Sequence, residues 1–291
     1  MKRSFVAVTL AVSSAFALLS MMAAVPGRQA HAQGKASTDA DPPIVFQAAG
    51  PTIDSIQGSV GEFRTALGEH NNGNAAGPLP LASGHREINW DGGGNNRTTA
   101  VAGNPFTGFQ VTRGALFTTP DGTGFVQAPP VADPALFPPG GLAGLFNNAT
   151  YGTIFSTFSD FRLFSAIGSN VTEVDFFVPG GSTNPATVTG FGAVYTDVDQ
   201  PDGSGPGKKR GNRHASTLME YFDSDGNLLA SSFVPASPGD ASLSFFGLVF
   251  DDAIIARVRI TSGDAAPGPD DGGRLDVVMM DDFIYGEPQA F

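Results

Sequence analysis

"IIARVRIT", residues 254–261, alternates along an extended chain: Ile254, Ala256, Val258 and Ile260 fall on one side, Arg257, Arg259 and Thr261 on the other. A strand with one apolar and one charged face belongs to an antiparallel sheet buried on one side and wet on the other. Two such sheets packed face to face make a sandwich, which is the fold this octapeptide predicts.

Working outward, the same rhythm runs from residue 85 to the C-terminus: short stretches rich in Phe, Val, Ile and Thr, punctuated by Gly, Pro, Asp and Asn. "TLMEYFDSDGNLLASSFV" (217–234) reads as a hairpin with Asp225-Gly226 at its tip. "TEVDFFVPG" (172–180) and "ATVTGFGAVYTDVD" (186–199) read as neighbouring strands, and Pro120-Asp121-Gly122 as a turn. Upstream, "IVFQ" (44–47) is a short strand. "PTIDSIQGSVGEFRTALGEHN" (51–71) is an amphipathic helix with Ile56, Val60, Phe63 and Leu67 on one face and a capping-box pattern at Asp54 and Gln57. Its expected role is to pack against the flank of a sheet.

The N-terminus has the order of an export signal: Lys2 and Arg3, an apolar run from Phe5 to Leu19, then Ala30-His31-Ala32. The alternative is a retained anchor, since the apolar run reaches Val25. The expected organisation is a signal peptide at 1–32, a disordered lead at 33–43, a strand-and-helix appendage at 44–84 and the sandwich at 85–291, in a secreted or periplasmic protein. Cleavage removes three basic residues and no acid, taking the net charge from −12 to −15. That charge opposes nucleic acid and anionic membrane surfaces and favours cations. With no cysteine there is no disulfide, and a metal is an alternative staple for an exported domain. Lys208, Lys209, Arg210 and Arg213, in a Pro- and Gly-rich loop, read as a solvated tip or as an anion or partner contact.

"GHREINWDGG" (84–93) gathers Glu87, the single Trp90 and Asp91, and admits three readings: a carboxylate pair beside a sugar-stacking ring, a metal site, or a strand entering a turn. Catalysis has little else in its favour. The six Glu are scattered, no Gly-x-Ser-x-Gly elbow is present, and His70, His85 and His214 lack zinc-ligand spacing. Asp197 and Asp199 of "TDVD" share a strand face and suit either proton transfer or a cation. "DSDGN" (223–227) opens like a helical calcium loop, but its twelfth position is Val234, not Glu. With 24 Phe against one Trp and four Tyr, a strong glycan platform is disfavoured, although Trp90 with Tyr195 or Tyr285 could supply a weak one.

"LDVVMMDDFIYGEP" (275–288), "SLSFFGLVFDDAIIARVRITSG" (242–263), "FRLFSAIGSNVTEVDFFVPG" (161–180), "GFGAVYTDVD" (190–199) and "GHREINWDG" together resemble a family of uncharacterised secreted bacterial proteins. These have a jelly-roll sandwich of the galactose-binding-like or carbohydrate-binding-module kind. The resemblance implies a fold and not an activity. It also implies a structural calcium ion tying the first strand, through Glu87 or Asp91, to the last, through Asp281 or Asp282. The expectation is therefore an all-β, antiparallel jelly-roll sandwich with one N-terminal amphipathic helix. It is exported, non-catalytic and calcium-stabilised, and binds weakly to an extracellular glycan or a cell-surface component. The alternatives are a structural or adhesive protein and a polysaccharide hydrolase.

Overall fold

A computed structural model describes residues 41–75, 79–92, 97–131, 140–181, 183–199, 217–270 and 275–291. The expected signal peptide, most of the lead and the basic loop at 200–216 lie outside the described residues. In chain order the strands are β1 (Ile44–Gly50), β2 (His85–Ile88), β3 (Ala100–Gly103), β4 (Ala115–Thr118), β5 (Gly124–Ala128), β6 (Leu163–Ile167), β7 (Val171–Phe176), β8 (Ala186–Thr187), β9 (Gly190–Thr196), β10 (Leu218–Phe222), β11 (Leu228–Phe233), β12 (Leu243–Val249), β13 (Arg257–Thr261), β14 (Met279–Gly286) and β15 (Gln289–Ala290). The main helix is α1 (Ile53–Leu67), and single turns form α2 (Gln110–Arg113), α3 (Gly141–Leu145) and α4 (Tyr151–Ile154).

The fold is a β-sandwich built from antiparallel pairs. One sheet has the order β1-β12-β9-β14-β6-β5-β3, with β2 also paired to β14; the other runs β11-β10-β13-β7-β4. Inward side chains of both, among them Phe125, Phe164, Phe191, Tyr221, Val258, Ile260 and Phe283, form one core between the sheets. Val258 and Ile260 of β13 are buried, while Arg257, Arg259 and Thr261 face outward. The alternation does not extend back to Ile254: the ladder starts at Arg257, and Ile255 enters the core through an isolated bridge to Val188.

Two expectations of organisation are corrected. "TEVDFFVPG" and "ATVTGFGAVYTDVD" are not neighbours, since β7 pairs β13 and β4 whereas β9 pairs β12 and β14. The segment 44–84 is no appendage, because β1 is hydrogen-bonded to β12 along its whole length. α1 then lies on the outer face of the same sheet, where Ile56, Val60, Phe63 and Leu67 pack against Val194, Leu243, Phe245 and Ile284. The seat is made by two glycines: Gly192 and Gly247 pair across β9 and β12, and a Cβ on either would come within 3.0 Å of the Phe63 ring. The capping box does not form; Thr52 is the N-cap and Gly68 closes the helix.

β14 carries the feature that shapes the site. Met280 pairs Tyr195 and Phe283 pairs Ala193, so Asp281 and Asp282 together face the single residue Val194. This is a β-bulge, which inserts one residue and turns two successive side chains toward one side. Accordingly Met279 and Ile284 both point outward, away from the inter-sheet core, although five positions separate them.

Candidate functional site

The outer face of β14 around the bulge, roofed by α1 and the 158–162 segment, collects three of the four acids expected to hold a cation. From α1, Arg64 Nε donates to Glu87 Oε1 at 2.7 Å and Nη2 to Oε2 at 3.0 Å. The same Nη2 lies 3.5 Å from Asp282 Oδ2. First-strand and last-strand acids do meet, and the cation between them is a guanidinium. His85 Nε2 adds a 2.8 Å contact to Glu87 Oε1. Burial alone would raise the Glu87 carboxyl, but the hydrogen bonds from His85 and Arg64 outweigh it and hold it below its ordinary value.

Asp281 and Asp282 are almost fully buried. Asp281 Oδ2 accepts the Phe158 amide at 2.6 Å and the Ser159 amide at 3.3 Å. Ser159 Oγ sits 3.1 Å from Asp281 Oδ1 and 2.6 Å from Asp282 Oδ1. Burial, first, and for Asp281 the neighbouring carboxylate, next, push both carboxyls up. A pair this close titrates as a unit and retains a proton.

Asp91 goes elsewhere. Its Oδ1 caps the 158–162 segment by accepting the amides of Phe161 and Arg162 at 3.2 and 3.1 Å. Its Oδ2 is buried with no partner among the described residues, and desolvation pushes the carboxyl up to about 6 against those two bonds. Arg162 holds the same turn by donating to Gly92 O at 3.0 Å and Thr98 O at 2.9 Å.

As calcium ligands these four acids do not fit. Glu87, Asp281 and Asp282 spend their oxygens on Arg64, His85, Ser159 and backbone amides, and Asp91 faces a different turn. Among the described residues no three His, Asp or Glu side chains stand close enough to hold a metal.

The expected aromatic platform is likewise corrected. Trp90, Tyr195 and Tyr285 are all buried in the inter-sheet core and offer no ring to a ligand. Trp90, at φ 65°, stacks on Phe164 with centroids 3.7 Å apart and donates its Nε1 hydrogen to Asp281 O at 2.8 Å. Tyr285 donates its hydroxyl to Arg113 O at 3.0 Å. Of the readings of "GHREINWDGG", the structure selects a strand entering a turn. Arg86, within it, forms a buried bidentate pair with Glu287 at 2.7 and 2.8 Å, and Asn72 completes the pair with a 2.8 Å bond to Glu287 Oε2.

Accessible polar groups gather at the end of the five-stranded sheet instead. An open hollow of about 480 Å³ lies between the turn at Pro120 and Asp121, the β6–β7 corner, and strands β10 and β13; its polar lining is Asp121, Ser169, Asn170, Glu220, Arg259 and Thr261. Glu220 and Arg259 are direct cross-strand partners, and Arg259 Nε is held 3.0 Å from Glu173 Oε1. Sequence reading passed over this hollow because its residues come from four separate segments, none with a motif. The alternation of Arg257 and Arg259 was the one signal that this face carries charge. In comparison with known proteins, the chain matches no family model, no curated protein and no solved structure.

Proposed function

We propose that this chain is an exported β-sandwich of jelly-roll type that acts by binding, without catalysis, and that its ligand is a polar, glycan-like surface component held at the end of the five-stranded sheet. The observation that carries the reading is the hollow itself, where an arginine, two carboxylates, an amide and two hydroxyls converge within reach of solvent. Polyhydroxylated ligands are recognised by such mixed donors and acceptors, with a charged side chain fixing orientation. Among the described residues no aromatic ring lines the hollow, which makes weak binding the expectation. The non-catalytic half rests on how the acids are placed: hydrolysis of a glycoside needs two carboxyls on either side of a reachable bond, Asp281 and Asp282 are closed off and tied to protein donors, and at the hollow Glu220 is set across the strand pair from Arg259 rather than from a second carboxyl.

The test is a carbohydrate array followed by titration of any hit, using wild type, Arg259→Ala and Glu220→Gln. Both side chains are partly exposed, so both variants should fold. Binding that falls at least about tenfold in each, the effect of losing one charge-assisted contact, is the expected result. Absence of any hit, or equal binding by both variants, overturns the reading.

A further inference from the structure

Beyond the binding hollow and independent of it, the segment that leads from α1 into β2 carries a covalently labile step. Asn72-Gly73 is the one Asn-Gly pair in the 291 residues. An asparagine before glycine is the pair most prone to deamidation, because glycine has no side chain to keep its nitrogen from closing on the neighbouring carboxamide carbon.

The fold ties this step into the buried pair of Arg86 and Glu287. Asn72 Nδ2 gives one hydrogen to Glu287 Oε2 at 2.8 Å and the other to Ser83 O at 3.0 Å. The Asn72 amide donates to His85 O at 2.8 Å, and the Gly73 amide to Asn71 Oδ1 at 2.9 Å. Arg86 Nη1 donates to Gly73 O at 2.7 Å. Gly84 packs on the same carboxamide, where a Cβ would come within 2.8 Å of both Nδ2 and Oδ1. Cyclisation needs the Gly73 nitrogen stripped of its hydrogen and the carboxamide swung toward it. These contacts oppose both movements.

We propose that Asn72 is a modification site whose amide the fold protects, and that its conversion to an acid releases the clasp between this segment and Glu287. When the segment opens, hydroxide takes the Gly73 amide proton and the nitrogen attacks Asn72 Cγ. The new C–N bond closes a cyclic imide, the Cγ–Nδ2 bond breaks, and Nδ2 leaves as ammonia after taking a proton from water. Water then opens the ring at either carbonyl, giving aspartate or isoaspartate with no change of oxidation state. Neither product regains the old fit. An oxygen in place of Nδ2 has no hydrogen to give and faces two acceptors, Ser83 O and Glu287 Oε2. Isoaspartate also lengthens the main chain between the Asn72 amide and the Gly73 carbonyl, both of which are held.

The experiment is peptide mapping by mass spectrometry of the full-length mature protein aged in mildly alkaline buffer, folded and in urea, with chromatography to separate aspartate from isoaspartate. Residue 72 should convert at least about tenfold more slowly in the folded protein, since the reaction waits on local opening. Aged molecules, separated by their added charge, and Asn72→Asp should both melt at least roughly 2 to 4 °C below wild type. If Asn72→Asp does not fold, the aged wild-type fraction carries the comparison. No conversion in urea, or conversion as fast folded as in urea, overturns the proposal, and so does an aged protein that melts with the unaged one. Carbohydrate binding does not enter these readouts, so the hollow can fail without this site failing.

Discussion

Asp281 and Asp282, successive residues of β14, hydrogen-bond one hydroxyl, Ser159 Oγ, at 3.1 and 2.6 Å. In a regular strand they would point to opposite faces. The bulge opposite Val194 makes the meeting possible. A serine hydroxyl has a single hydrogen, so it can donate to only one of the two carboxyls. The shorter contact identifies Asp282 as the acceptor. The contact to Asp281 is the longer and weaker one, and the upward shift of both carboxyls leaves the pair sharing a proton between Asp281 and Asp282.

Ser159→Ala is therefore expected to do more than remove a contact. It should cost about 1 to 3 kcal/mol, since it strips a donor from a buried acid, and raise the pH at which the pair gives up its proton. Urea unfolding gives the first quantity and carboxyl carbon chemical shifts of the two aspartates the second. An unchanged titration would mean that Ser159 does not bridge them.

Arg64→Ala removes the cation shared by Glu87 and Asp282 and undocks part of α1. A buried pair broken on one side costs about 3 to 5 kcal/mol; Arg64 keeps 30 % of its side chain exposed, so about 2 kcal/mol is expected. Arg64→Lys should recover only part of this, because a single ammonium cannot replace the two-pronged bond to Glu87. Equilibrium unfolding of both variants decides it.

Acidity should favour this fold over part of its range. Asp91, Asp281 and Asp282 hold their protons more tightly folded than unfolded, so the folded state binds more protons between the unfolded value near 4 and their raised folded values. Stability should fall as pH rises from about 4 to 6, by up to about 1.4 kcal/mol per pH unit for each carboxyl still titrating. Glu87 acts the other way: its lowered value contributes stability above about 4.5 that is lost as pH falls further. Asp91→Asn should flatten the slope below pH 6, measured by urea midpoints. A stability that climbs from pH 4 to 6 would mean these acids are ordinary ionised groups.

Gly192→Ala tests the seat of α1. An added Cβ meets the Phe63 ring at 2.9 Å and the Gly247 backbone at the same distance, so the ring must lift. Overpacking of this kind costs about 1 to 3 kcal/mol, and Phe63→Leu in the same chain should recover part of it. Melting of the single and double variants is the measurement.

Legibility followed exposure. The buried stripe Ile56, Val60, Phe63 and Leu67 stands out because the opposite face of α1 is polar, and the 217–234 hairpin because Asp223 to Asn227 breaks two apolar runs. β14 conceals its bulge because all eight of its residues are buried, so a one-residue slip leaves no trace in the polarity pattern. The pairing of Arg64 with Asp282 spans 218 positions and has no local signature. Trp90 and Tyr285 misled because a polar tip on an aromatic ring reads as a ligand contact, whereas here each tip bonds a backbone carbonyl inside the core.

The single indole of the chain is stacked on Phe164 and bonded through its nitrogen to the carbonyl of Asp281, the first residue of the bulge. Its fluorescence therefore reports one place rather than an average, and it should emit at short wavelength while the bulge is closed and shift red when water reaches it. Compared with a backbone signal from circular dichroism, this separates opening of the knot under α1 from loss of the sheets. If the two signals part company during acid or urea titration, the knot opens ahead of the sandwich; if they coincide, the bulge and both sheets unfold as one unit.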